Sequence, residues 1–525
     1  MTRVMRLSLL ALLVAYPIVV IALATSSGVL FSQDSVSYLA AARSLAAGDG
    51  LTSFDGQPLT LFPPGLSIVL GVAEGLGWTA GSAAVVLNAA CVGLVVLGTY
   101  LLARLALGSS WLGVAAAAVV SLSAPFTLSF VWLWSEPLFT VLVVGLLLLL
   151  AWAIRVGRCP WWLVIAAGLL AGAAISVRYV GYVLLPVVGL GIWQAARPRG
   201  DHGAASRAWV RVLVALAIGL LAPALIVLRN LNAGSGPLGD RYPGVRTLLD
   251  STVEAVGVLG TFLLPSASSA VAVALGVLVG VLVLVGIWVG LMDRNRVLLL
   301  LGLFSVLYVA AIVWSQTATR LDPPTPRLLT PTVPALAVLA LGGLRVLLRR
   351  LRRDAVSWTA SSGSATIRAR GAGAAILIGC VVLGLVVVGS VAAAVRADAR
   401  LVSDSRGGAL GLRAAASSSP LAAAGVGLPG VAGFASNDPW RMYLAVGKTP
   451  VVPLPPSASE WPADRIDRDL RVLLDGVRSG NVTHALMVEG GGATLTWPEL
   501  ASAGVEATLV AETPEGSVYR LATAG

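Results

Sequence analysis

A chain of 525 residues that is 57% hydrophobic and 12% charged, with a mean hydropathy of +0.89, cannot present an ordinary water-facing surface and reads as a polytopic membrane protein. Its formal charge of +11 would suit nucleic acid only if the arginines formed one basic face, whereas they fall mostly in short loops between apolar runs. Cys91, Cys159 and Cys380 lie in or beside apolar runs without metal-ligand spacing, which suggests core packing rather than a disulfide framework or zinc site.

Arg3 and Arg6 precede an apolar run from Leu7 to Ala24. Ala22-Leu23-Ala24 resembles a cleavage site, but the run exceeds the h-region of a signal peptide, so the segment is expected to be a retained membrane helix. Residues 28–81 then form a first outer loop. Ser32 and Asp34 are good N-caps, Val36, Leu39, Leu45 and Ala46 supply helical spacing and Gly48 is a stop; a short helix lying along the bilayer surface is expected. Asp34 would sit in its first turn, where the helix dipole stabilises negative charge. Two readings stand for it: a carboxylate that accepts or orients a proton, and a plain helix cap. Gly48, Gly50 and Gly56 loosen the next stretch, and Pro63-Pro64-Gly65 is expected to turn the chain back into the membrane.

Runs long enough to cross a bilayer fall near 7–27, 82–105, 110–126, 133–154, 161–177, 179–195, 209–229, 270–291, 297–315, 329–348 and 372–395, giving about eleven helices. With a cytoplasmic N-terminus, the inner loops carry Arg3, Arg6, Arg104, Arg155, Arg158, Arg197, Arg199, Arg207, Arg294, Arg296, Arg349, Arg350, Arg352 and Arg353. The basic, Ser/Gly-rich stretch from Arg349 to Gly371 is expected to be a cytoplasmic loop. The net charge is therefore a topology signal, the bilayer and its anionic inner leaflet are the partner, and no nucleic acid is implied. Residues 1–396 form the membrane domain. From about residue 397 Pro, Asp, Glu, Ser and Trp return, and residues 397–525 read as a small extracytoplasmic α/β domain, with strands at Gly430–Ser436 and His484–Val488, a helix at Ala463–Val477 and the hairpin ATLVAETPEGSVYRLA. His484 is read as structural.

Charges at the outer ends of membrane helices are the remaining signal. Arg178, Arg229 and Arg327 run against the positive-inside bias and ask for an anionic partner, or else pair with Glu136 or Asp322 or snorkel to headgroups. Glu136 either holds an arginine in place or binds sugar hydroxyls. Tyr38, Tyr179, Tyr182 and Trp134 either stack on a sugar and line a lipid groove or anchor helices at the interface.

The ordered motifs QDSVSYLAAARSLAAGDGL, FPPGLSIVLG, SEPLF at Ser135–Phe139, SVRYVGYVLLP at Ser176–Pro186, RNLNAGSGPLG from Arg229 and TPRLLTPTVPAL from Thr325 resemble the GT-C glycosyltransferase superfamily. The likeness is to its polyprenyl-phosphate-mannose mannosyltransferase and aminoarabinose transferase branch, over about residues 5–395. It implies an inverting transfer of a sugar from a polyprenyl-phosphate carrier to a glycan, lipid or protein acceptor on the outer face. The superfamily's acidic base in the first outer loop falls on Asp34. The second acidic residue usually beside it is absent, since the neighbours are Gln33 and Ser35, and a lone carboxylate is a poor cage for a divalent cation, so no cofactor is indicated and a divalent metal stays an open alternative. Asp55 ranks behind Asp34, and with Glu136 and Tyr38 is a candidate for sugar or acceptor binding. A polyprenyl phosphate leaves as a stable anion and needs positive charge rather than a second acid, which Arg327, Arg178 and Arg229 would supply. Arg-rich, Lys-poor usage fits a high-GC bacterium and a decaprenyl-phosphate donor carrying mannose or arabinofuranose. The rival readings are a multi-pass transporter or flippase of lipid-linked saccharides, which would show inverted repeats, and a non-enzymatic envelope scaffold, in which Asp34 is dispensable.

Overall fold

The computed structural model describes residues 3–197, 204–320, 324–361, 391–404, 419–447, 449–457 and 461–524. In chain order α1 (Arg3–Ala24) is followed by α2 (Gln33–Ala47), α3 (Gly65–Gly75), α4 (Ala80–Leu107), α5 (Ser110–Ser121), α6 (Ala124–Leu128), α7 (Glu136–Val156) and α8 (Trp161–Val177). Next come α9 (Leu184–Ala196), α10 (Ala204–Asn232), α11 (Leu248–Thr261), α12 (Ser269–Met292), α13 (Arg296–Ala318), α14 (Pro326–Leu329), α15 (Val333–Ser361) and a helix over 391–404, α16. The C-terminal part holds α17 (Pro420–Val426), β1 (Phe434–Ser436), α18 (Pro439–Val446), β2 (Val451–Pro453), α19 (Ala463–Arg478), β3 (His484–Val488), α20 (Trp497–Ser502), β4 (Val505–Thr513) and β5 (Gly516–Thr523). The chain divides into two compact units, one of Met1–Ala24, Thr60–Pro63 and Val86–Asp404, the other of Thr25–Leu59, Pro64–Val85 and Ser405–Gly525.

The first unit is a membrane bundle. Among the described residues 8 helices are long and apolar enough to cross a bilayer: Arg3–Ala24, Ala80–Leu107, Glu136–Val156, Tyr179–Ala196, Ser206–Asn232, Ser269–Met292, Arg296–Ala318 and Pro326–Arg350. Of the other three expected spans, α8 has 17 residues, α5 has only 12, and most of 372–395 lies outside the described residues. Residues 391–404 nevertheless run past the end expected at 395, and Tyr16 in α1 donates a hydrogen bond of 2.8 Å to a buried Asp398. The basic stretch after Arg349 is a second departure, because α15 continues as helix to Ser361. The core is aliphatic and aromatic: Leu146, Leu147 and Leu150 of α7, Leu163 and Val164 of α8, and Phe304 and Tyr308 of α13 are fully buried. Small residues let α11 and α12 approach closely, since a Cβ on Gly260 would strike the carbonyl of Ala272 and one on Gly276 that of Val256.

Basic side chains gather at one end of this bundle and satisfy helix carbonyls that would otherwise lack donors. At the C-terminus of α4, Arg155 donates to Leu105 O (2.5 Å) and Ala106 O (3.0 Å), Asn295 to Ala106 O (2.8 Å) and Arg345 to Leu107 O (2.7 Å). Arg296 likewise donates to Gln194 O near the end of α9 (2.7 Å).

In the second unit the expected cap residues set α2. Ser32 and Ser35 form a capping box, and Gly48, at φ 89°, ends the helix in the left-handed region. The helix does not lie on lipid as an amphipathic surface helix would, because every residue from Ser35 to Ala42 is buried in protein. It packs on α3, where Gly71 faces Ala42 O and Leu45. Pro63-Pro64-Gly65 also departs from expectation. It opens α3, whose 11 residues rise about 16 Å and cannot span a bilayer, and the next span begins only at Ala80.

The C-terminal sheet has strand order β2-β1-β3-β5-β4, with β1 parallel to β2 and β3 and the β3-β5-β4 part antiparallel. Leu473 and Val477 of α19 bury against its core, with Ala435, Val452 and Ala485. Strand β3, α19 and the hairpin coincide with the sequence expectation, while the three-residue β2 and the short α17, α18 and α20 carry too little periodicity to be read. The first loop joins this sheet: Val451 N–H of the edge strand donates to Phe54 O (2.8 Å), the Phe54 and Tyr443 rings lie 6.4 Å apart, and Arg43 donates to Gly447 O (3.4 Å).

Candidate active site

The site residues of the bundle come together around one carboxylate. Glu136 opens α7 directly after Ser135, and although its side chain is only 1% exposed it meets two guanidinium groups. Arg178 Nη1 lies 2.5 Å and Arg327 Nε 2.7 Å from Glu136 Oε1. Ser135 Oγ accepts from Arg178 (3.0 Å), and Arg327 stacks over the Trp134 ring at 4.4 Å. Of the two roles open for Glu136, the geometry is that of the residue that holds arginines.

Local structure explains the placement. Arg178 occupies an extended residue between the end of α8 and a 3-10 turn at Tyr179–Val183, so the chain breaks helix where the charge is needed. Arg327 sits on the one-turn helix α14, started by Pro326 and fixed by Tyr308 Oη donating to Leu328 O (3.1 Å) and by the Ser129–Thr330 hydroxyl pair (3.0 Å). Trp134 is stacked on Trp132 at 4.9 Å, and Asn88 donates to the carbonyls of Phe130 and Trp132 (2.9 and 2.8 Å). Asn88, Ser129, Tyr308 and Thr330 are buried, while Trp132 and Trp134 are partly exposed. At this cluster the side chains of Arg178 and Arg327 are 15% and 22% exposed.

Arg229 is placed differently. Its Nη1 lies 3.4 Å from Asn230 Oδ1, and Asn230 donates to Tyr179 Oη (2.9 Å) and Pro237 O (3.2 Å). Tyr179 in turn donates to Thr60 O (3.2 Å), and Arg241 covers the Tyr179 ring at 5.7 Å while donating to Leu61 O (3.3 Å). The stretch Thr60–Pro63 of the first loop is thus held beside the residue that follows Arg178. Sequence reasoning missed Arg241; its only signal is an arginine in the Pro/Gly-rich segment after Arg229, outside any periodic pattern.

The remaining candidates lie in the second unit. Asp34 is half-buried in the first turn of α2, and Tyr38, one turn on along the same face, is 3% exposed. Asp55 is half-buried, accepts from Gln57 N–H (3.1 Å) and interacts with Arg468 and Asp469 of α19. Burial pushes its carboxyl up to about 6 in spite of the opposing Arg468 charge. His484 is buried in β3 beside Thr483 Oγ1 (3.0 Å), a structural position. Arg43 was not singled out, yet it lies 4.0 Å from Glu74 as well as on Gly447 O. Asp322 and Cys380 lie outside the described residues. Among the described residues no three His, Cys, Asp or Glu side chains converge as metal ligands.

No family model matches the sequence, and no curated protein does. Solved structures match over nearly the whole chain. ArnT from Cupriavidus metallidurans bound to undecaprenyl phosphate superposes with a TM-score of 0.60 at 17% identity, covering 97% of both chains, and its apo state with 0.57 at 18% over the same shares. The archaeal oligosaccharyltransferase AglB from Archaeoglobus fulgidus, in complex with an inhibitory peptide and a dolichol-phosphate, gives 0.53 at 13% identity over 92% of this chain and 69% of that one. At these identities the likeness concerns the fold, and the chain accordingly has the membrane fold of ArnT and AglB, the kind of fold the sequence motifs implied.

Proposed function

We propose that this protein is an inverting glycosyltransferase that moves a sugar from a polyprenyl-phosphate carrier to an acceptor hydroxyl on the outer face of the cytoplasmic membrane. The observation that carries the reading is the Glu136–Arg178–Arg327 cluster, two guanidinium groups held by one buried carboxylate at the ends of membrane helices, in a fold whose solved examples hold undecaprenyl phosphate and a dolichol-phosphate. Arginine forks suit phosphate oxygens, and a fixed cation pair stabilises the charge that develops as the carrier departs.

In the proposed step the acceptor oxygen attacks the anomeric carbon and its proton passes to Asp34. The bond from that carbon to the phosphate oxygen breaks, and its electron pair leaves with the polyprenyl phosphate. Arg178 and Arg327 compensate the new charge, Glu136 positions them, and no acid is needed for the leaving group. Arg241, over the Tyr179 ring and on Leu61 O, brings positive charge to the first-loop stretch Thr60–Pro63, and Arg229 lies against Asn230, which bonds Tyr179. With one carboxylate as base and guanidinium groups as counter-charge, the reaction proceeds without a divalent cation.

The test is transfer of labelled sugar from polyprenyl-phosphate-mannose and polyprenyl-phosphate-arabinose in membranes carrying wild-type protein or Asp34→Asn, with and without chelator. Wild type transfers from one donor regardless of chelator, and Asp34→Asn lowers the rate by about 100-fold or more at equal protein level. Full activity of Asp34→Asn contradicts the assignment of the base, and loss of activity on chelation contradicts the metal-free mechanism.

A further inference from the structure

The bundle carries a second feature at the end opposite Glu136. Arg155, 19 positions along α7 from Glu136 and thus about 29 Å away, bonds the last carbonyls of α4, and Arg345 bonds the next one. This separation matches the thickness of a bilayer's hydrocarbon core, so Arg345 belongs to the other membrane face. Here α5 and α15 leave a groove of about 240 Å³ lined by Leu112, Leu341, Leu344, Arg345, Leu348 and Arg349.

Its chemistry is that of an amphiphile with a negative head. Arg345 and Arg349 are one turn apart on α15, where like charges repel, and among the described residues neither forms an ion pair. The four leucines continue the groove as an apolar wall, Leu348 being 38% exposed. Arg350 lies over the partly exposed Trp288 ring at 4.7 Å, an arrangement suited to the headgroup level. We infer that this groove binds one anionic glycerophospholipid of the inner leaflet, its phosphate between Arg345 and Arg349 and an acyl chain along Leu341, Leu344, Leu348 and Leu112. Charge complementarity favours this occupant over a zwitterionic lipid, whose chains are the same but whose head carries no net charge.

Native mass spectrometry of the full-length protein, with phosphatidylglycerol and phosphatidylcholine of identical chains supplied in equal amounts, tests the inference. Wild type retains phosphatidylglycerol about 25-fold more than phosphatidylcholine, roughly fivefold for each guanidinium group. Arg349→Gln, an exposed change, lowers the preference about fivefold. Leu344→Trp fills the groove and removes retention while leaving both charges. Glycerol 1-phosphate at the same concentration displaces nothing, since it lacks the chains. Equal retention of the two lipids, undiminished preference in Arg349→Gln, or displacement by glycerol 1-phosphate would overturn the inference, and none of these results bears on the glycosyl-transfer reading.

Discussion

Glu136 is the residue on which the bundle's charge organisation turns. A carboxylate at 1% exposure is costly unless paired, and here it offsets two guanidinium groups that would repel each other without it. Replacing Glu136 with Gln keeps the shape and removes the buried carboxylate that both arginines contact, so the thermal midpoint of the purified protein should fall by the equivalent of about 3 kcal/mol. An unchanged midpoint would mean that the pair is not energetically coupled to the fold. Asp55 provides the pH-dependent counterpart. Its carboxyl is raised from 3.8 to about 6, so between these values the folded state binds the proton more tightly than the unfolded chain does. Stability therefore falls as pH rises through this window and is greatest below it. Asp55→Asn should be more stable than wild type at pH 7, by about 1–2 kcal/mol after allowance for solvent screening, and the difference should vanish near pH 4. A difference that persists at pH 4 would trace the effect to packing instead. Glu136, Arg178 and Arg327 were legible in the sequence because charge at the ends of apolar helices has few inexpensive explanations. Arg241 and Arg43 were not, since one lies in a loop without periodicity and the other in an Ala-rich helix where any face looks alike.

At the scale of elements, local chemistry was legible and tertiary context was not. The Ser32 cap and the Gly48 stop fix α2 to within a residue, but the burial of Ser35 to Ala42 depends on partners distant in sequence, so an apolar stripe was mistaken for a lipid-facing one. The same limit hid α3, whose apolar residues resemble the start of a membrane span. Helix contact through glycine is likewise invisible in a single sequence. Gly276 and Gly280 both lie in α12, yet a Cβ on Gly276 would strike Val256 O whereas one on Gly280 meets nothing within 4 Å. Gly276→Ala should therefore lower stability by about 2 kcal/mol through forced separation of α11 and α12, while Gly280→Ala should be neutral or slightly stabilising. Equal midpoints for the two variants would argue against the close approach of these helices.

The molecule as a whole joins a membrane bundle to a unit in which the first loop and the C-terminal sheet share a core. Composition alone established the membrane class, and the order of motifs implied the fold; the association of the first loop with the C-terminal sheet was not readable, because it rests on contacts of Phe54 and Arg43 with residues about 400 positions away and on a three-residue strand. A fold of this kind with an arginine pair on a buried carboxylate suits moving a lipid-linked sugar as well as cleaving it from its carrier, and chemistry separates the two. The decisive measurement follows labelled polyprenyl-phosphate sugar in liposomes containing the purified protein and a membrane extract as acceptor source. A glycosyltransferase leaves label in acceptor together with an equimolar amount of free polyprenyl phosphate, both abolished in Arg327→Gln. Donor that crosses the bilayer intact, with no polyprenyl phosphate released, would contradict glycosyl transfer.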